Sequence, residues 1–287
     1  MKTLLRRALR LLLKPVFRFF PREHGKYSLL TRLYFPFAAP THPQIVIARL
    51  RHGFKMYLDI SEYLQSYMYM FGAYELPTVK LIRNTFQGES SFLDIGAQMG
   101  YITLEAAVAN KRGHVFAFEP EPANFTRLID NISINSINSI RTYNTALGAT
   151  TGDLDLYLAE ANSGAHSAFQ SNANVSEKKV RVPMRTLDSI VEQDSIKDIS
   201  MIKLDVEGYE LEVLRGATQV LRQHKPMLIV ELNDEIQQAA GSSSSGVKQL
   251  LGSFGYQPHY ILEDGRIGDI VGATNHLNDN VVFVCTK

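Results

Sequence analysis

Five polar side chains, Asp94, Glu119, Asn144, Asp205 and Glu231, each stand at the carboxyl end of a short apolar run, and two of those runs continue into glycine turns. The first turn lies in FLDIGAQMG, residues 92–100, where Phe92 and Leu93 lead through Asp94 to Gly96 and a helical pattern begins only after Gly100. That order predicts strand, tight turn and helix start. Glycines let a backbone approach a ligand closely, and the helix start offers unpaired N–H groups and the positive end of its dipole. Such a turn can cradle a nucleotide. Glu119 lies 19 residues past Gly100, at the end of HVFAFE. A carboxylate there is placed to accept ribose hydroxyls, as an acid about 20 positions on does in dinucleotide folds.

The spacing separates two kinds of ligand. A dinucleotide fingerprint uses three glycines, G-x-G-x-x-G, around a pyrophosphate, whereas Gly96 and Gly100 stand in the pattern D-x-G-A-x-x-G. An acid two residues before the first glycine suits an ammonium and a sulfonium. S-adenosylmethionine therefore fits better than a nicotinamide dinucleotide. The plainer alternative is that Asp94 caps the turn that Gly96 makes. Gln98 and Tyr101, in and just after the turn, and Pro120, beside Glu119, join the cofactor set.

The second motif is KLDVEGYELEVLRGA, residues 203–217. Strand alternation puts Lys203 and Asp205 on one face near a strand's carboxyl end, with Glu207 in the turn and Glu210 opening a helix. A helix dipole accounts for Glu210 but not for Asp205. Asp205 is the first candidate for general base or acceptor anchor, followed by Glu207, Lys203, Glu231 and His166. Asp205 and Glu207 also form an oxygen-only pair suited to Mg²⁺, although nothing in the sequence requires a metal.

These side chains need a scaffold, and the pattern supplies one. From residue 92 apolar runs alternate with helical segments: FLDI and a helix near 101–110, HVFAFE and 122–135, IRTYN, MIKLD and 208–223, MLIVEL and 246–253. Such alternation predicts an α/β fold with a mostly parallel sheet and helices on both faces, and ligands outside the carboxyl ends of its strands. Residues 150–184 read as a hairpin insertion whose loop, with His166, can hang over that rim. GSSSSG, residues 241–246, reads as a flexible join. Two further strands around a turn at residues 263–266 finish the sheet as an antiparallel pair.

Upstream, residues 61–86 are aromatic and helical in period, broken at Gly72 and Pro77, with Tyr63, Tyr67, Met68 and Phe71 expected in a core. Glu75 precedes the helix leading to the turn, and either faces the ligand's amino group or favours the helix start. Residues 44–60 read as a β-hairpin with Gly53 in its turn. Pro36, Pro40 and Pro43 mark 36–43 as a linker. Residues 1–22 carry Lys2, Arg6, Arg7, Arg10, Lys14, Arg18 and Arg22 with no acid, while Leu5, Leu9, Leu12, Val16 and Phe19 share a helical face. This basic amphipathic segment, kinked or split at Pro15, either lies on an anionic membrane or docks on its own domain with a solvated basic face. An organellar transit peptide is a third reading. The segment is too short in apolar run to span a membrane.

Bulk properties are those of a globular protein: 287 residues, 45% hydrophobic, 21% charged, with 30 basic against 29 acidic residues. A net charge of +1 gives no reason to expect nucleic acid as a partner. The single cysteine, Cys285, excludes an internal disulfide and a cysteine-based zinc site, and fits a cytoplasmic protein, free or peripheral on a membrane. The division expected is an N-terminal segment and linker, 1–43, followed by one domain, 44–287.

The motifs together resemble the FkbM-type S-adenosylmethionine-dependent methyltransferases. The resemblance runs over residues 74–256, through FLDIGAQMG, FAFEPEPANFTRLIDNISIN, TALG, VRVPMRTLD, IKLDVEGYELEVLRGA and LIVEL. It implies a class I methyltransferase (Rossmann-like) fold with a seven-stranded sheet, and methyl transfer to a hydroxyl of a sugar, glycan or secondary metabolite. It also implies that Gly96, Ala97 and Gly100 line the methionine moiety, Glu119 the ribose, and Ala146 and Leu147 the adenine. Gln98 and Tyr209 depart from the family's usual residues, which leaves the substrate open. A nicotinamide-dependent oxidoreductase and a silent, membrane-bound binding protein of the same fold are the alternatives.

Overall fold

The central apolar runs form strands that bury both faces. In SFLDI all five residues are buried, as parallel strands covered on both sides require. The structure is a computed structural model and describes residues 2–19, 25–159, 166–169, 176–272 and 277–286. The chain divides into two compact units, Met1–Glu75 and Leu76–Lys287, so the hairpin expected at the start of the second domain belongs with the first unit.

The first unit contains α1 (Lys2–Arg18), α2 (Lys26–Leu29), a π-helical turn (Leu30–Tyr34), α3 (Phe35–Phe37), β1 (Ile45–Arg49), β2 (Lys55–Asp59) and α4 (Tyr63–Phe71). β1 and β2 pair antiparallel around Gly53, at φ 98, as the sequence predicts. Phe17, Leu30, Tyr34, Tyr67, Met70 and Phe71 make an aromatic core. Ala38 and Ala39 are buried in that core, so the stretch read as a linker is half structural. Helix α1 runs through Pro15 without a break. A proline forfeits one backbone hydrogen bond, and the packing of Phe17 beyond it outweighs that loss.

The second unit opens with α5 (Leu76–Thr85). It continues as β3 (Ser91–Ile95), α6 (Tyr101–Ala109), β4 (His114–Phe118), α7 (Pro122–Ser133), β5 (Ile140–Tyr143), β6 (Ala146–Leu147), β7 (Gly152–Tyr157), β8 (Lys179–Arg185) and α8 (Leu187–Asp194). It ends with β9 (Ile199–Leu204), α9 (Glu210–Arg215), α10 (Thr218–His224), β10 (Met227–Asn233), α11 (Asp234–Ala239), α12 (Ser244–Ser253), β11 (Tyr256–Ile261), β12 (Ile267–Ile270) and β13 (Asn278–Cys285).

The main sheet has the order β12-β11-β13-β10-β9-β3-β4-β5. β5, β4, β3, β9 and β10 are parallel, and β13 enters antiparallel between β10 and β11. This is the class I methyltransferase fold. Its seven expected strands carry an eighth, β12, at the edge, because the turn at 263–266 closes a hairpin of its own. The insertion is present as β7 and β8, antiparallel, with β6 added in parallel to make a separate three-stranded sheet.

Two other local expectations change. The helix expected over 208–223 breaks into α9 and α10 at Gly216, where a Cβ would stand 2.0 Å from the carbonyl oxygen of Gly148. The serine run is no free join: Ser243 caps α12 by accepting from Gly246 N at 3.0 Å, and Ser244 lies in its first turn.

Candidate functional site

The carboxyl ends of β3, β4 and β9 meet the insertion around a cleft enclosing about 620 Å³ of empty space, partly open to solvent. Ile95, Gly96 and Gln98 come from the turn after β3; Phe118, Glu119, Pro120 and Asn124 come from the end of β4 and the start of α7. Thr145, Ala146 and Leu147 form one wall, Leu154 and Leu156 of β7 with His166 and Ala168 another, and Asp205, Val206, Glu207 and Tyr209 close the far side.

The turn is built by close backbone approach. Gly96 has φ 84, and a Cβ there would stand 1.7 Å from the carbonyl oxygen of Asp205. Gln98 takes φ 51, unusual for a residue with a side chain. That strain is held by a buried carboxylate: Gln98 N donates to Glu119 Oε2 at 2.8 Å, and Glu121 N to Glu119 Oε1 at 2.9 Å. Burial nevertheless pushes Glu119 up to about 7, against those two donors. Asn144 lies behind this corner, its amide donating to the carbonyls of Glu119 and Pro120 at 2.8 and 3.0 Å.

Other expected cofactor residues support the turn without lining the cleft. Asp94 is 2% exposed and accepts from Thr103 Oγ1 at 2.5 Å, which ties the end of β3 to α6. Tyr101 is buried, its hydroxyl donating to Glu105 at 3.1 Å. Ala97 is buried with its N–H on Phe118 O, and Gly100, at φ 91, precedes α6 beneath Leu128. Glu75, at φ 43, closes the first unit, outside the unit that holds the cleft.

The acidic side is a proton-sharing cluster. Lys203, 1% exposed, donates to Asp205 Oδ2 at 3.0 Å and to Asn280 Oδ1 at 2.8 Å. Burial acts to raise the Asp205 carboxyl, but the Lys203 ammonium and hydrogen bonds from Glu231 and Lys203 hold it below the usual range. The Asp205 charge, then burial, holds Glu231 well above that range, so Glu231 is the protonated partner. Burial and the charges of Asp205 and Glu210 push Glu207 up to about 8. Glu207 stands at φ 51, and its buried Oε2 has no hydrogen-bond partner among the described residues. Glu210 faces away from the cleft, accepting from Val206 N and Gly208 N at 3.2 Å, and burial pushes it up to about 7.

Carboxylate oxygens of Asp205, Glu207 and Glu231 lie within 4.8 Å of one another, a donor set of the hard-oxygen kind. Lys203 and the protons on Glu207 and Glu231 already offset the charge that a cation would neutralise.

His166 does not suit the base role. Its Nδ1 accepts from Ala159 N at 2.9 Å and burial lowers its pKa, so the neutral ring carries its proton on Nε2 and offers a donor. Most of the loop around it lies outside the described residues. Phe118, Asn124, Leu154, Leu156 and Tyr209 were not anticipated as lining. The signal for Leu154 and Leu156 was the alternation of DLDLYLA, which marks the inward face of the insertion.

Comparison with known proteins agrees with this arrangement. The Methyltransferase FkbM domain matches residues 94–258, more than half of the chain. Hexuronic acid methyltransferase AglP of Haloferax volcanii is 28% identical over 178 residues, covering 62% of this chain and 67% of that protein. The 2-O-methyltransferase NoeI of Sinorhizobium fredii is 23% identical over 156 residues, covering 50% and 63%. The chain thus spans about two thirds of the length of these relatives. A solved FkbM methyltransferase from Methylobacillus flagellatus superposes with a TM-score of 0.46 at 18% identity, covering 69% of this chain and 44% of that one. With the turn after β3, the acid after β4 and the KLDVEGYE corner all inside the matched residues, the chain belongs to the FkbM methyltransferase family.

Proposed function

We propose that this protein is an S-adenosylmethionine-dependent O-methyltransferase acting on a hydroxyl of a sugar, glycan or secondary metabolite. The observation that carries the reading is the cleft itself, with the buried Glu119 at one end and Glu207 beside the Lys203–Asp205 pair at the other. S-adenosylmethionine fits this lining. Glu119 keeps lone pairs beyond its two backbone donors for ribose hydroxyls, while Phe118, Ala146 and Leu147 give an apolar slot for adenine. The turn at Gly96–Gln98 leaves the methionine end facing Asp205 and Glu207.

When bound, S-adenosylmethionine supplies a methyl group on a sulfonium, and transfer leaves a neutral thioether. The chain's part is to align the acceptor oxygen with that bond, and alignment alone is worth about 7 to 11 kcal/mol. Glu207, raised to about 8, holds a proton at neutral pH, and it is the fraction of the protein in which it has released that proton that takes the hydroxyl proton as the oxygen–carbon bond forms, a contribution of about 10²- to 10⁴-fold. Asp205, already engaged by Lys203 and Glu231, anchors the acceptor instead. A sugar-type acceptor is supported by the names of the two relatives above, one a hexuronic acid methyltransferase.

Calorimetry with S-adenosylmethionine, followed by methyl transfer to a panel of uronic acid and neutral glycosides, tests the reading. Binding with transfer to oxygen is expected. Binding without transfer to any hydroxyl acceptor favours a silent binding protein.

A further inference from the structure

Helix α1 turns its basic side inward and its apolar side out. Arg6 donates to Ala39 O at 2.6 Å, and Arg18 to Arg49 O at 2.5 Å. Arg10 is 5% exposed beside Tyr34, and Lys14 lies over the Tyr69 ring at 3.7 Å. The helix docks through these groups and through Leu9, Leu13 and Phe17, a stripe at every fourth residue against the aromatic core.

The opposite side is left bare. Leu4, Leu5, Leu11, Leu12 and Val16, with Phe19 just beyond the helix, are 61 to 86% exposed, and Ala8 and Pro15 are exposed between them. At about 100° per residue these eight positions fill one arc of about 140° with no polar residue inside it. A contiguous apolar face of this kind marks an interaction surface. Arg7, exposed, borders the arc.

Charge selects the occupant. The first 75 residues carry 12 basic and 4 acidic side chains, whereas the remaining 212 carry 18 and 25, so the near-neutral total hides a unit of net +8. A second copy docking through the same face would set +8 against +8. An anionic surface would not. We propose that this face seats the protein on an anionic lipid bilayer, with α1 in the plane of the headgroups and its apolar arc among the acyl chains. Among the described residues no helix is long and apolar enough to cross a membrane, so the attachment is lateral. The inference stands apart from the methyltransferase chemistry.

The full chain is sedimented with phosphatidylcholine vesicles, with and without phosphatidylglycerol, at low and high salt. The wild type should pellet with the anionic vesicles and be released by salt. Leu5→Gln, Leu11→Gln and Leu12→Gln combined should lower vesicle affinity by about tenfold or more, and leave the unfolding temperature and S-adenosylmethionine binding unchanged. Pelleting of the triple variant like the wild type, or no pelleting of the wild type, overturns the proposal. So does a wild-type dimer that the triple variant converts to monomer while neither pellets, which would make the face an interface between copies.

Discussion

The backbone N–H of Gln98 donates to Glu119 at 2.8 Å, which makes the glycine turn after β3 and the acid after β4 one hydrogen-bonded corner. The carboxylate expected to hold a ribose is thus also part of the scaffold. Glu119→Ala strands two buried donors and should cost about 1 to 3 kcal/mol of stability as well as S-adenosylmethionine affinity. Denaturant unfolding and calorimetry on one preparation read both. Affinity lost at full stability would mean that Glu119 serves the ligand alone.

Gly96 contacts protein before ligand. A Cβ at 1.7 Å from Asp205 O cannot be relieved by a side-chain rotation, because the obstacle is backbone and φ is 84. Gly96→Ala should therefore cost about 3 kcal/mol or more and displace the β9 corner. Loss of binding with an unchanged unfolding curve would contradict that origin.

Stability should fall as pH rises. Glu119 and Glu210 both titrate near 7 in the folded protein against 4.5 unfolded, so between those values the native state holds protons that the unfolded chain has released. The loss is on the order of 3 kcal/mol for each group. It should be absent below about pH 4.5 and complete above about pH 7 for these two. Urea unfolding of the ligand-free protein across this range checks it, and a flat or rising profile would show that burial of these carboxyls is compensated. Glu210→Gln should remove its share of the slope.

Methyl transfer should survive exhaustive dialysis against EDTA. Lys203 at 3.0 Å from Asp205 supplies the positive charge that three clustered carboxyls need, and Glu207 and Glu231 hold protons. Activity lost to EDTA and restored by Mg²⁺ would show that a cation replaces those protons.

The rim was legible because strand ends and glycine spacing are local signals. Asp205, Glu207, Glu119 and Gln98 follow from them, and all four line the cleft. The hydrogen bond that Asp94 accepts from Thr103 was not legible, because that partner lies nine residues away on α6. His166 lines the cleft, but its proton position was not legible, because it depends on the N–H of Ala159, seven residues away. The strand β12 has no apolar signature, with Ile267 and Ile270 both exposed, and exists by pairing to β11. In α1 two apolar stripes interleave. The one at Leu9, Leu13 and Phe17 meets the core, and the more conspicuous one does not.

The most direct measurement is single-turnover transfer of a labelled methyl group from S-adenosylmethionine to a hexuronic acid glycoside, by wild type and Glu207→Gln at matched folding and cofactor saturation. The account predicts an O-methyl ether from the wild type, a rate that climbs with pH toward about 8, and a loss of about 10²-fold or more in the variant with cofactor affinity retained. A wild type that binds no S-adenosylmethionine, or a variant with normal turnover, would contradict it.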